Sequence, residues 1–337
     1  TLFELKGPYA WLRDVSRDLY TPVDTLTAIA PGNLSLRWDD ANSTFAQRDA
    51  FYHVARAREF VRALDPGPAL EPLDRQLQVR VDDPSGGCNA YWSGTRINFY
   101  AEGSGCVSSA RIADVVYHEY GHAVSEYCYE PYPIPGDMNE GFSDYFATSL
   151  TNQPNIGNGF YGPGTRIREV ERDRVWPRDA SPSIHLQGLI LAGALWDLRK
   201  ELGAARTDAL FHYARYGAAQ SMDDYLLDLL VQDDDDGDLD NGTPDFAAII
   251  RAFRAHGIGD YAVHIAHAPL PDLEDPPPQI EVSARIRSLL GLAPDSLALY
   301  WSAGDEFAFT RQSPEPGPGA REFRARIPAP PAGTTVR

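Results

Sequence analysis

The chain is poor in cysteine and in basic residues, and it lacks long apolar runs. Three cysteines among 337 residues are too few for a disulfide scaffold. No apolar run reaches the roughly 18 residues of a transmembrane helix, so we expect no membrane span. The 30 Lys and Arg residues stand against 48 Asp and Glu, which gives a net charge of −18. We expect no nucleic-acid partner, because phosphate contacts require a basic face.

Enough apolar residues remain for a packed core. They make up 43% of the chain, and 11% of the chain is aromatic, which excludes a wholly disordered protein. The chain opens at Thr1 without an initiator Met or a signal peptide. Such a start is typical of a processed mature form, so we expect a secreted, extracellular protein. The strong net charge favours solubility, and we expect a monomer.

Hydrophobic periodicity divides the chain into three parts. Residues 1–110 carry short apolar runs and alternation typical of strands, with one helix predicted over 50–64. Helical spacing dominates residues 111–268. Repeated prolines over 269–278 predict a stiff linker, and alternating residues in 279–337 predict a small β-sandwich-like module. This module offers fewer strands than the roughly seven of a complete sandwich, so we expect it to be incomplete.

Two of the three cysteines bracket a predicted strand, turn and strand. A disulfide between Cys88 and Cys106 would pin that hairpin. The alternative is two buried free thiols, as a reducing compartment would give. Cys128 lies in a predicted helix and is expected to be a buried structural thiol.

Two histidines four residues apart are the first candidates for chemistry. His118 and His122 lie in a predicted helix over 111–128. Residues at i and i+4 share a helix face, so the two imidazoles can bind one metal ion while Glu119 points beside it toward a water. Zinc suits these ligands, and a catalytic zinc has three protein ligands and an open position. The alternative is an amphipathic helix with two surface histidines.

A second predicted helix, over 138–151, supplies two acids one turn apart. Glu140 can complete the zinc ligands. Asp144 can accept an N–H from a ligand imidazole and so fix its tautomer. The alternative, two ordinary surface acids, leaves their placement behind a zinc-ligand helix unexplained.

Together these segments resemble the metal-binding core of gluzincin metallopeptidases, the thermolysin and fungalysin-like group. The matching stretches are 114–122 and 139–144. Two more stretches follow the family's order: 88–92 resembles its substrate-pairing edge strand, and 184–188 resembles the segment of its oxyanion histidine. The resemblance implies an α+β, bilobal catalytic domain over 1–268, with a β-rich lobe at 1–110 and a helical lobe at 111–268.

The resemblance also implies a role for each matched residue. One zinc ion would be bound by His118, His122 and Glu140, with Asn139 and Asp144 behind these ligands. Glu119 would act as general base, and His185 would stabilise the oxyanion, although a helix-start histidine bonded to the backbone is the alternative for His185. The implied substrate-binding residues are Asn89, Ala90, Trp92, Val115 and Arg168.

Two implied positions are less sharply matched. The family's oxyanion tyrosine falls nearest Tyr132, with Tyr127 and Tyr129 as alternatives. For the arginine that contacts a substrate carbonyl, we choose Arg168 over Arg166 and Arg174.

An acidic loop is a candidate calcium site. Dense carboxylates around glycines over 233–242 resemble a calcium loop, although the register does not fit an EF-hand. The alternative is a solvated acidic loop before a helix that Thr243 caps. The candidate ligands are Asp233, Asp234, Asp236, Asp238 and Asp240.

These features predict a secreted zinc-dependent endopeptidase that cleaves internal bonds of peptides or proteins. One alternative is a gluzincin aminopeptidase, although the Gly-x-Met-Glu-Asn element of those enzymes is not found. The other is a catalytically inactive module that keeps zinc for structure. Intact Glu119 and His185 argue against it.

Overall fold

The computed structural model of the protein describes residues 2–16, 23–25, 37–239, 241–259, 263–274, 276–288, 297–304, 308–319, 321–331 and 333–336. Two compact units divide the chain, Thr1–Ile258 and Gly259–Arg337. Both helices and sheets occur, so the fold is of the mixed α and β kind that the sequence predicts.

A four-stranded sheet dominates the first part of unit 1. The strands of this part are β1 (Leu2–Glu4), β2 (Ala10–Asp14), β3 (Val23–Thr25), β4 (Leu77–Asp83), β5 (Ala90–Trp92) and β6 (Arg96–Tyr100). The sheet has the order β2-β4-β6-β5, in which β5 runs antiparallel to β6 and the other pairs are parallel. Val79 and Val81 are fully buried, as the alternation in β4 predicts. Because β5 is the last strand of this sheet, one of its edges has no neighbouring strand among the residues that the structure describes.

The first helix begins earlier than its hydrophobic spacing indicates. Helix α1 covers Phe45–Leu64, whereas the prediction starts at residue 50. Thr44 caps it: its hydroxyl accepts from the Gln47 N–H at 3.2 Å, and the Gln47 side chain accepts from the Thr44 N–H at 2.7 Å. This capping box satisfies two backbone N–H groups at the start of the helix. It therefore extends the helix beyond the start that hydrophobic periodicity indicates.

Six further helices follow α1, with short strands between some of them. They are α2 (Ala113–Tyr129), α3 (Gly136–Thr151), α4 (Ile184–Leu202), α5 (Ala204–Ala214), α6 (Met222–Asp233) and α7 (Phe246–Ala255), and β7 (Asn155–Ile156) pairs with β8 (Arg168–Glu169). Helices α2 and α3 lie within two residues of their predicted ranges, 111–128 and 138–151. Among the described residues, no helix combines the length and apolar character that a membrane crossing needs.

Glycines allow helices α2, α3 and α4 to approach at backbone distance. A Cβ on Gly121 of α2 would lie 3.0 Å from Ser143 Cα of α3. A Cβ on Gly141 of α3 would lie 2.7 Å from the Gly188 carbonyl oxygen of α4. Side chains at these points would push the helices apart. The glycines therefore set the spacing between the helices that carry the candidate ligands.

Unit 2 contains strands in its described residues. They are β9 (Val263–Ala266), β10 (Gln279–Ser288), β11 (Leu299–Trp301), β12 (Thr310–Gln312), β13 (Glu315–Pro316) and β14 (Glu322–Pro328). Four of them form an antiparallel sheet of order β13-β14-β10-β9. The unit begins at Gly259 rather than after residue 268, because β9 pairs with β10. A sandwich arrangement stays a prediction.

Candidate metal centre and active-site cleft

The two histidines of α2 and the first acid of α3 converge on one point. His118 Nε2 lies 3.1 Å from His122 Nε2 and 3.3 Å from Glu140 Oε2. His122 Nε2 lies 3.7 Å from Glu140 Oε1. Donor atoms at about 2.0–2.1 Å around a tetrahedral zinc ion lie about 3.3 Å from one another. The three side chains therefore fit a zinc ion in donor type and in spacing.

The other ring nitrogen of each histidine has its own partner. His118 Nδ1 lies 2.8 Å from Asp144 Oδ1, and His122 Nδ1 lies 3.0 Å from Asn139 Oδ1. A proton held on Nδ1 leaves Nε2 with a lone pair for a metal. Ser143 Oγ also lies 3.0 Å from His122 Nδ1, which the sequence reasoning missed. Ser143 lies four residues after Asn139, so helical spacing could have indicated it.

Arg168 binds the acid behind the first histidine. Its Nε and a terminal nitrogen donate to the two oxygens of Asp144 at 2.7 and 2.6 Å, and it lies 3.7 Å from Glu140 Oε2. Burial opposes ionisation of Asp144, but Arg168 and His118 outweigh it and hold the pKa of this carboxyl below its usual range. Hydrogen bonds from His118 and His185 likewise outweigh burial and lower the pKa of Glu140. Both acids are therefore carboxylates at neutral pH.

Glu119 is buried beside the candidate metal ligands and lines the same cleft. Burial raises the pKa of its carboxyl to about 7. The nearby His118 opposes this rise in pKa, and the negative charge of Glu140 adds to it. The Trp92 backbone N–H donates to it and so connects it to strand β5. A carboxyl with a pKa near neutral can both accept and return a proton.

His185 lies in the cleft, and Tyr132 does not. His185 is in the first turn of α4, and its Nδ1 is 2.6 Å from Glu140 Oε2. Tyr132 is 63% exposed and is not among the residues that line the cleft in the described part of the chain. Its backbone N–H donates to the Tyr129 carbonyl in a turn after α2, and this turn leaves the ring in solvent. The buried Tyr129 donates its hydroxyl to the Ala219 carbonyl instead.

The cleft has a volume of about 470 Å³. One side is formed by β5 and the residues before it, and all of the predicted substrate-binding residues contribute. The predicted residues that line it are Asn89, Ala90, Trp92, Val115, His118, Glu119, His122, Asn139, Glu140, Arg168 and His185. The sequence reasoning missed an apolar group in the lining, Ile156, Phe160, Tyr161 and Ile167.

Asp114 fixes the loop that carries this apolar group. Its carboxylate is buried and accepts from the Gly157 N–H at 2.7 Å and from the Asn158 N–H at 3.3 Å. Asp114 lies in the first turn of α2, one turn before His118. This loop is therefore anchored to the helix that carries His118 and His122.

Sequence comparison finds peptidases over part of the chain. Over 176 residues, 46% of this chain, it is 27% identical to the thermostable neutral protease NprT of Geobacillus stearothermophilus, to bacillolysin of Bacillus caldolyticus and to thermolysin of Alicyclobacillus acidocaldarius. The match spans 31% of the length of each of these relatives. No family model matches the chain.

A solved structure shares the fold. The precursor of protealysin, a metalloproteinase from Serratia proteamaculans, matches with a TM-score of 0.58 at 15% identity, over 74% of this chain and 87% of that chain. The sequence match, the shared fold and the cluster of candidate ligands all indicate a likeness to metallopeptidases. The cluster consists of His118, His122 and Glu140. In part of its sequence and in its fold, the chain is similar to thermolysin-like metallopeptidases. The resemblance to the thermolysin-like group that the sequence predicts is confirmed.

The predicted disulfide is present. Cys88 and Cys106 are bonded, with their Cα atoms 5.5 Å apart. Cys128 is free and buried in α2, as expected. The alternative of two free thiols at 88 and 106 does not hold.

One of the candidate calcium ligands in the acidic loop has a structural role. The buried Asp233 accepts from Arg206, from the Thr243 hydroxyl at 2.5 Å and from the Asp245 N–H at 2.7 Å, and so anchors the start of α7. Asp234, Asp235 and Asp236 bring oxygens within 4.8 Å of one another. Asp236 accepts from the backbone N–H of the exposed Asp238, and Asp240 lies outside the described residues. Calcium binding there stays a prediction.

Proposed function

We propose that the chain contains the catalytic domain of a secreted zinc endopeptidase, with its cleft between a β-rich lobe at 1–110 and a helical lobe over the rest of unit 1, 111–258. One observation carries the proposal: three zinc-type donor atoms converge beside the buried Glu119, in a cleft bordered by a strand edge. His118, His122 and Glu140 would hold the zinc. When bound, zinc supplies a Lewis acid that favours attack of water on a carbonyl carbon.

The side chains around the donors suit peptide hydrolysis. Glu119 takes a proton from the attacking water and later delivers it to the leaving amine. His185 Nδ1 donates to the Glu140 carboxylate, so the ring can also donate from Nε2 to the oxyanion only as the imidazolium, with a proton on each nitrogen. Arg168 holds Asp144, and through it orients His118.

The edge of β5 suits an extended substrate. In the described part of the chain, β5 is paired on one side, through Ala90, Tyr91 and Trp92 with β6, and its other side has no strand beside it. A peptide can add its backbone to the other side as a further strand. Val115, Ile156 and Phe160 form an apolar part of the lining, which would accept an apolar substrate side chain beside the scissile bond. The substrate would therefore be an unfolded or extended polypeptide.

The test is hydrolysis of an N-terminally acetylated, unstructured peptide by the zinc-loaded protein. We expect cleavage at internal bonds, inhibition by 1,10-phenanthroline, and little inhibition by its non-chelating 1,7 isomer. Cleavage only of peptides with a free amino terminus would favour the aminopeptidase. Stoichiometric zinc without cleavage of any peptide would contradict the proposal and favour an inactive zinc-stabilised module.

A further inference from the structure

The disulfide lies at the base of the strand that faces the cleft. Cys88 lines the cleft and precedes Asn89 and Ala90 directly. Its partner Cys106 is buried in the segment that leads into α2. The bond therefore connects the start of β5 to the chain that enters the metal-binding helix.

The segment over residues 103–111, here called the bridging segment, contacts both walls of the cleft. On one side, Ser109 Oγ donates to the Asn89 carbonyl oxygen at 2.8 Å, next to the disulfide. On the other side, the Val107 N–H donates to the Phe160 carbonyl oxygen at 3.0 Å. Gly103 and Cys106 exchange backbone hydrogen bonds of 3.1 and 3.0 Å, which close the segment into a tight turn. Both walls are thus held by one short piece of backbone.

Strand β5 is short, and its position depends on a small number of attachments at its two ends. It has three residues, paired with Phe99, Asn98 and Ile97 of β6. A slip of one residue would turn the buried Ala90 outward, because side chains alternate along a strand. At its far end the Trp92 indole N–H donates to Glu126 of α2 at 2.5 Å. At its near end the Tyr100 N–H donates to the Asn89 carbonyl oxygen at 3.3 Å, and the disulfide and Ser109 add two further attachments.

The backbone at Cys88 adds a reason for the bond. Its φ is +51°, in the left-handed region that residues other than glycine rarely adopt. Such a conformation persists where the surroundings hold it. Without the bond, Cys88 can return to an extended conformation, and Asn89 and Ala90 would move with it.

We infer that the Cys88–Cys106 disulfide positions β5 for peptide binding, so that breaking it weakens the binding of extended substrates without releasing the metal. The inference rests on the proposed function, which takes β5 as the substrate-pairing edge. Cys88 and Cys106 act through the strand and touch none of the reacting atoms. Their contribution should therefore appear in KM rather than in kcat.

The test compares two substrates before and after reduction. One is an acetylated octapeptide that can pair along β5, and the other is a blocked dipeptide amide too short to do so. A trialkylphosphine is the reductant, because thiol reductants bind zinc. It gives two electrons to the sulfur–sulfur bond and becomes the phosphine oxide with an oxygen from water, and the two protons of that water complete the thiols.

Reduction should raise the KM for the octapeptide about ten-fold, with kcat and the kcat/KM for the dipeptide amide changed less than about two-fold. Zinc content should not change. The double variant Cys88→Ser/Cys106→Ser should show the raised KM without reductant and should not respond to the phosphine. Cys128→Ala, which alters the buried free thiol alone, should respond like the wild type.

An unchanged octapeptide KM, with three free thiols per denatured chain after reduction, would overturn the inference. Equal losses on both substrates, or loss of zinc, would also overturn it, because they would show a structural bond only. The activity of the oxidised wild type distinguishes failure of this inference from failure of the proposed function. If it cleaves neither substrate, the proposed function fails, whereas if it is active and insensitive to reduction, only the role of the disulfide fails.

Discussion

Replacing Asp144 by Asn would remove a charge from behind the zinc ligands while keeping the shape of the side chain. In the structure its two oxygens accept from Arg168 at 2.6 and 2.7 Å, and one also faces His118 Nδ1 at 2.8 Å. An amide has a single oxygen, so it must turn its NH2 group toward a guanidinium or toward the Nδ1–H of the imidazole. At least one of these hydrogen bonds is lost in either orientation. If the NH2 group faces Arg168, the ion pair is lost, and if it faces His118, the Nδ1–H tautomer is no longer favoured.

Two magnitudes follow from this geometry. Loss of a carboxylate that orients a metal-ligating histidine costs about 10–100-fold in zinc affinity, or about 1.4–2.8 kcal/mol. The side chain of Arg168 is 13% exposed and would lose its carboxylate partner. Breaking a buried pair in this way costs about 3–5 kcal/mol of folding stability. Because Glu140 lies 3.7 Å from the same guanidinium and can take over in part, we expect the lower end.

The assay is zinc competition against a chromogenic chelator, combined with guanidinium chloride unfolding with and without zinc. The control is Glu169→Gln, which breaks the more exposed pair of Glu169 with Arg166 and should cost below about 1 kcal/mol. If Asp144→Asn bound zinc within about three-fold of the wild type and unfolded within about 1 kcal/mol of it, the assigned role of Asp144 would be refuted.

Two further substitutions test the helix packing and the acid titration. Gly141→Ala places a Cβ 2.7 Å from the Gly188 carbonyl oxygen and should lower the free energy of unfolding by about 2–3 kcal/mol. The control, Gly136→Ala, meets side-chain atoms from 3.4 Å outward and should change the free energy of unfolding by less than about 1 kcal/mol. Equal effects of the two substitutions in chemical denaturation would contradict the close approach of the helices. Burial and the nearby Asp224 raise the pKa of Asp228 to about 6. The folded protein therefore binds the carboxyl proton of Asp228 more tightly than the unfolded chain does. As a result, the wild type loses stability as the pH rises from about 4 to about 6. Asp228→Asn should therefore gain up to about 1 kcal/mol at pH 7 and almost nothing at pH 4, and a gain that does not depend on pH would show another cause.

Rules of local spacing predict much of the fold and of the site. Apolar periodicity locates the helices, because a helix in a globular domain buries one face. The i, i+4 positions of His118 and His122, and of Glu140 and Asp144, share helix faces wherever the helices lie. These residues could therefore be predicted before the packing of α2 against α3 was known.

Features that depend on the path of the chain could not be predicted in this way. The side chain of Tyr132 follows a turn after α2 into solvent, which no spacing rule describes. Ile156 and Phe160 reach the cleft because Asp114 and Val107 hold their loop through the Gly157 N–H and the Phe160 carbonyl. Such contacts join residues far apart in sequence, and only the packed structure brings them together.

The central claim is tested most directly by zinc content and peptide hydrolysis measured together on Glu119→Gln. The amide keeps the size of the side chain but cannot accept the proton from water. We expect one zinc per chain and a loss of at least about 100-fold in kcat/KM on the acetylated peptide. The control, Glu130→Gln, alters an exposed acid at the end of the same helix and should keep full activity. Near-wild-type hydrolysis by zinc-loaded Glu119→Gln would contradict the account.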